Sequence, residues 1–138
     1  TTIPRDKVAL ALAATEAMAV AGAIQPGDRV DIIATWTRPG GEPVSQDLFQ
    51  DVRVFAVGRW QGDGRGPSPP AGGTPPATIT LLLDYQQAVV VEYLLQTGGR
   101  LTLALRRFDQ SETMPTEPIN AETLTRRYLS DEITRAVR

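Results

Sequence analysis

Residues 78–107 read TITLLLDYQQAVVVEYLLQTGGRLTLALRR, and the fold turns on how this stretch divides. Thr78 to Leu83 reads as a strand. Asp84 then starts a helix: its short carboxylate is a good N-cap, and Gln87, three residues on, can complete a capping box. Ala88, Val91, Leu94 and Leu95 recur at helical spacing and form the stripe that must be buried. The valines at 89–91 lower helix propensity, so the caps and the stripe carry the assignment. Gly98 and Gly99 close the helix as C-cap glycines. Leu101, Leu103 and Leu105 follow in strict alternation and end at Arg106 and Arg107, which completes a strand–helix–strand unit.

Upstream, the pattern is that of strands separated by turns. Lys7 to Ala13 reads as a buried strand, and Thr15 to Val20 as a single helical turn capped by Thr15. Gln25-Pro26-Gly27-Asp28 is a turn: proline presets φ at the second position and glycine supplies the positive φ that a type II turn needs next. Arg29 to Thr37 follows as a strand with Val30, Ile32 and Ala34 on one face and Asp31, Ile33 and Thr35 on the other. Arg38 to Pro43 is a second loop. Asp47 to Gly58 is a longer strand. In it Leu48, Val52, Val54 and Ala56 share the core parity, while Phe49, Phe55 and Val57 lie with Asp51 and Arg53 on the other.

Residues 61–76 are almost wholly Gly, Pro, Ser and polar, which reads as a flexible hairpin tip or exposed loop. Pro67-Ser68-Pro69-Pro70 is weak support for a proline-rich binding segment. Gly62-Asp63-Gly64-Arg65-Gly66 resembles a nucleotide loop superficially, but it lacks the lysine and the following helix that such a site needs. After Phe108 the chain turns polar. Asp109 to Pro118 is loop-like, and Asn120 can cap a short helix from Ala121 to Leu129.

Composition narrows the chemistry. The chain has no histidine and no cysteine, so the usual neutral-pH base, the usual zinc ligands and the common nucleophile–base pairings are missing. An enzyme would have to run on carboxylates, lysine or tyrosine, and a carboxylate-driven hydrolase is the weakest reading. No cofactor and no metal is called for by any motif. A net charge of −2 with 6% aromatics argues against a nucleic-acid partner, which wants a basic face and stacking platforms. No apolar run is long enough to cross a bilayer. The chain opens Thr-Thr-Ile-Pro without a methionine, as expected of a processed or truncated product whose signal or anchor lies upstream.

Three stretches together resemble the CpaB/RcpC proteins of Flp/Tad pilus systems. Ala21 to Ile32, AGAIQPGDRVDI, is similar to the family's PGDxVDV signature. Leu48 to Gly58, LFQDVRVFAVG, resembles its LxxVxVLAVG strand. Ala77 to Arg107 follows its order of a TxTL strand, a helix with Gln87-Ala88 near its start, and a strand ended by Arg106. The resemblance spans about Pro4 to Arg107. Two departures stand out, Val89-Val90-Val91-Glu92 in the helix and the long insertion after Trp60.

The resemblance implies a mainly β (α+β) fold: a compact antiparallel barrel or sandwich, SAF/β-clip-like, with one helix between the last core strands. Residues 1–108 would form the CpaB/RcpC-like domain and 109–138 a C-terminal extension. It also implies a non-catalytic, extracytoplasmic subunit of a Flp/Tad pilus or related secretion apparatus. Such a subunit would be anchored in the membrane through a preceding segment, and it would contact secretin or pilins, with oligomers open to it. The alternative is a cell-wall glycan (peptidoglycan) binding module. Pro26, Gly27, Asp28, Val30, Asp31 and Arg106 are the family's signature positions, to which a structural role is assigned. Asp28 would hydrogen-bond the turn, and Asp31 would receive a backbone N–H or an arginine. As i and i+3 on a strand they fall on opposite faces, a poor geometry for shared acid–base work. Trp36, Trp60 and Arg107 are the candidates for partner contact. Each tryptophan is either a lid on the core or an anchor for a partner, and Arg107 is either a solvated strand end or part of an anion site.

Overall fold

The computed structural model describes residues 2–13, 23–61, 66–68 and 78–129, with the backbone alone at 59–61 and 66–68. Its strands are β1 (Val8–Ala13), β2 (Arg29–Thr37), β3 (Pro43–Gln61), β4 (Gly66–Ser68), β5 (Thr78–Leu83) and β6 (Arg100–Leu105). The helix α1 (Tyr85–Gln96) joins β5 to β6, and α2 (Ala121–Thr123) runs into a π-helical turn at Leu124–Leu129. The sheet is antiparallel in the order β1-β5-β3-β2-β6, with the short β4 paired to the end of β3.

The mainly β class and the helix between the last two core strands are as the sequence indicates. The sheet does not close into a barrel: β1 and β6 are its two edges. Among the described residues α1, not a second sheet, covers its core face. Val30, Ile32, Val54, Ile79, Leu81, Leu83 and Leu103 from four strands meet Val91 and Leu94 of α1 there, all of them buried. Each fully buried aliphatic side chain contributes about 1.5–3 kcal/mol from removal of its surface from water. On the opposite parity of β5, Thr80 and Leu82 are buried as well, so both faces of this strand are covered.

The ends of α1 explain its length. Gln87 Oε1 accepts from the Asp84 N–H at 2.9 Å, which makes the capping box, and Lys7 Nζ donates to Asp84 Oδ1 at 2.6 Å. At the other end the Gly99 N–H reaches Leu94 O at 2.7 Å and the Gly98 N–H reaches Leu95 O at 3.4 Å, the bond pair of a Schellman motif. Gly98 has φ +87°, and a Cβ on Gly99 would stand 2.7 Å from Leu94 O. Both glycines are required to turn the chain straight into β6.

Strand β3 departs most from the sequence pattern. It is longer than expected, and it is bulged. Val30 pairs with Val52 but Ile32 with Phe49, and Ile33 then pairs with Asp47, so β3 carries an extra residue at each step. A third irregularity lies between Val54 and Ala56, opposite Leu81 and Thr80. It flips the parity beyond Phe55, so Val57, opposite the buried Ile79, packs against the core in place of Ala56. A strict period of two cannot survive an inserted residue. The expected helical turn at Thr15 to Val20 lies outside the described residues. Of the 61–76 loop, Gly66–Ser68 pair with Arg59–Gln61 as a hairpin, and residues 62–65 and 69–76 lie outside.

Candidate functional site

The signature positions gather at one end of β2. Gly27, at φ +92°, donates its N–H to Val54 O at 2.8 Å, and Asp28 Oδ2 accepts from the Gln25 N–H at 2.9 Å. Pro26 thus begins a turn that is bonded to β3 as well as to itself. Val30 is wholly buried. Asp31 and Arg106 meet directly: Arg106 Nε donates to Asp31 Oδ1 at 2.6 Å, and the same oxygen accepts the Asp51 N–H at 2.9 Å. Asp51 has φ +58°, a left-handed conformation that a non-glycine residue adopts at a bulge when a partner holds it there.

Arg106 is the hub of this cluster, and its side chain is only 3% exposed. Three of its other N–H groups donate to Gln50 Oε1 at 3.0 Å, Glu112 O at 2.8 Å and Gln110 O at 3.2 Å. Gln50 continues the cluster by accepting the Met114 N–H at 2.7 Å and donating to Met114 O at 2.7 Å and to Asp47. A guanidinium can be buried when its donors are matched in this way. The cluster also binds the segment after Phe108 to the sheet, with help from paired backbone bonds between Ser45 and Ile119. Gln50 and Asp51 were not singled out in the sequence. Their signal is two adjacent polar residues in the middle of an apolar strand.

At the other end of β2 the surface is of the opposite kind. A groove of about 470 Å³ runs between α1 and the ends of β2 and β3. Trp36, Val44, Leu48, Val89 and Tyr93 line it, with Arg38 and Gln46 as its polar groups. Val89 is 62% and Tyr93 59% exposed. With Tyr85, 66% exposed, they form an i, i+4, i+8 row, a second apolar stripe beside the buried one. Trp36 is half-buried and packs against the core while lining the groove, so lid and contact surface are two sides of one indole.

Trp36, Trp60 and Arg107 do not come together. Arg107 is 79% exposed and paired with Asp109 at 3.0 Å. The backbone of Trp60 pairs with Pro67, and its side chain lies outside the described residues. Among the described residues no three carboxylates stand close enough to hold a metal ion, and no helix is long and apolar enough to cross a membrane.

No curated protein and no solved structure matches the chain. The model of one family does: Flp pilus assembly protein RcpC/CpaB, over residues 1–106. That match starts before β1 and stops at Arg106, the buried arginine that holds the signature end of β2 together, and over that span the chain belongs to the RcpC/CpaB family of Flp pilus assembly proteins.

Proposed function

We propose that this chain is a non-catalytic, extracytoplasmic subunit that serves Flp pilus assembly by protein–protein contact, and that the contact is made by the groove between α1 and β2–β3. The observation that carries this reading is the exposed row Tyr85, Val89 and Tyr93, of which Val89 and Tyr93 line the groove together with Trp36. Aromatic side chains fixed on a rigid helix and strand are the residue types that dominate binding energy at protein interfaces. The polar cluster at the other end serves stability in this reading. Most of its polar groups bond one another, with Asp47 Oδ1 buried and without a hydrogen-bond partner. Residues 1–108 carry the contact, and the stretch through Met114 and Ile119 buttresses β3. Trp36 belongs to the contact, whereas Arg107 lies outside the groove.

The test is a photo-crosslinker at Tyr93 in cells that build Flp pili, with one at Arg107 as the control. The expected result is a crosslink to a component of the pilus machinery from position 93 that Trp36→Ala abolishes. Equal crosslinking from both positions, or none from position 93 in piliated cells, would sink the reading. Retention of the purified chain on peptidoglycan sacculi would support the glycan module instead.

A further inference from the structure

We propose that β1 is a self-pairing edge, at which two copies of this chain join antiparallel, β1 to β1, into one continuous sheet. The proposal is independent of the groove. Strand β1 is an outer strand of the sheet, and among the described residues it pairs only with β5. An edge of this kind presents a row of backbone N–H and C=O groups to any strand that fits, and proteins ordinarily blunt it with charge, proline, a bulge or brevity. Val8–Ala13, VALALA, has none of these devices. It carries no charge and no proline, its six-residue register against β5 runs without a shift, and the charges nearest before it lie outside the strand. The other edge, β6, carries a charge within the strand, Arg100 at its start, and the exposed Arg107 follows beyond its end.

The sequence of β1 is also its own complement. Val8, Leu10 and Leu12 point to the core face, opposite Leu83, Leu81 and Ile79, and Ala9, Ala11 and Ala13 to the other. In a two-fold antiparallel pair centred on Leu10, Leu10 faces Leu10, Val8 faces Leu12 and Ala9 faces Ala11. Centring on Ala11 keeps the same sorting, with Leu10 facing Leu12. The pairs formed within β1 then match apolar to apolar on the core face and alanine to alanine on the other, and in the Leu10-centred register Ala13 meets Lys7 beyond the strand's start. Val8 and Leu10 are only half-buried in one copy, and the second copy's core-face residues would cover them. An isologous contact of this kind closes on itself and does not propagate into fibres.

Sedimentation velocity on the 138-residue chain tests this. The wild type is expected to show a concentration-dependent monomer–dimer equilibrium. The variant Ala9→Lys/Ala11→Lys changes two exposed positions and sets lysines opposite lysines in either register, so its dissociation constant should rise at least about tenfold. Circular dichroism of that variant should match the wild type. If it does not, Ala9→Lys/Ala11→Glu decides: it restores dimerisation in the Leu10-centred register and fails in the Ala11-centred one, where glutamates meet. Hydrogen exchange of the wild type should show β1 amides more protected in concentrated than in dilute solution. A monomeric wild type, a dimer indifferent to the two lysines, or exchange at β1 independent of concentration would overturn the proposal.

Discussion

The two ends of β2 are finished in opposite ways. At the Val30–Asp31 end a buried arginine makes four hydrogen bonds, and the sheet, the bulge and the C-terminal segment are bound into one cluster. At the Trp36 end apolar side chains stay open to solvent beside a helix that already has its buried stripe. One end is bonded mostly within itself; the other has surface to offer. The difference separates two roles on a single strand, since a residue whose bonds are all made within the chain has nothing left for a partner.

The largest effect should come from Arg106→Ala. It leaves Asp31 and three further acceptors without their donor, at a cost of about 3 kcal/mol. Urea unfolding measures it, and a loss below about 1 kcal/mol would break the contrast by making the cluster ornamental. Tyr93→Ala should do the reverse. With its side chain largely outside the core, stability should change by no more than about 0.5 kcal/mol, while partner capture weakens by about 2 kcal/mol or more. A large drop in melting temperature for this variant would mean that the groove is core after all. Gly99→Ala should cost about 1–2 kcal/mol, because the added carbon collides with Leu94 O and the last turn of α1 must shift. It tests whether the two ends depend on one helix position, since stability and capture should fall together.

The smallest effect concerns Glu117, which Arg127 holds below the ordinary carboxylate range through its hydrogen bond and charge. A lowered folded-state value means that this contact is fully present above the unfolded value and lost as pH falls through the folded one. The pair is exposed, so acidification should loosen the Leu124–Leu129 turn and leave the sheet intact. Nuclear magnetic resonance at falling pH checks this. Loss of the sheet signals in the same step would couple the C-terminal turn to the core.

Much of this was legible because it is local. The Gly27 turn, the capping box at Asp84 and Gln87, the Schellman end at Gly98 and Gly99, the faces of β2 and the cap at Asn120, whose side chain accepts the Thr123 N–H at 2.8 Å, each depend on residues within a few positions. The kind of partner Asp31 needs, a backbone N–H or an arginine, was legible too, because a carboxylate on a half-buried strand face needs one, but which residues supply it, Asp51 and Arg106, was not. The exposed row on α1 was visible in principle, as tyrosine, valine and tyrosine four apart, but the valines were read only as a weakness of the helix.

What the sequence by itself determined is where the strands and the helix begin and end and which stripe each must bury, since side-chain periodicity and cap chemistry act over one or two turns of chain. Only the tertiary structure decided the bulges of β3, the open edge at β1 and the meeting of Arg106 with Gln50, residues far apart along the chain. Those depend on which strands become neighbours, and pairing energy is realised only when distant segments come together. The same physics separates the two ends of β2: a turn can be written in four residues, whereas a groove needs three elements to be brought side by side.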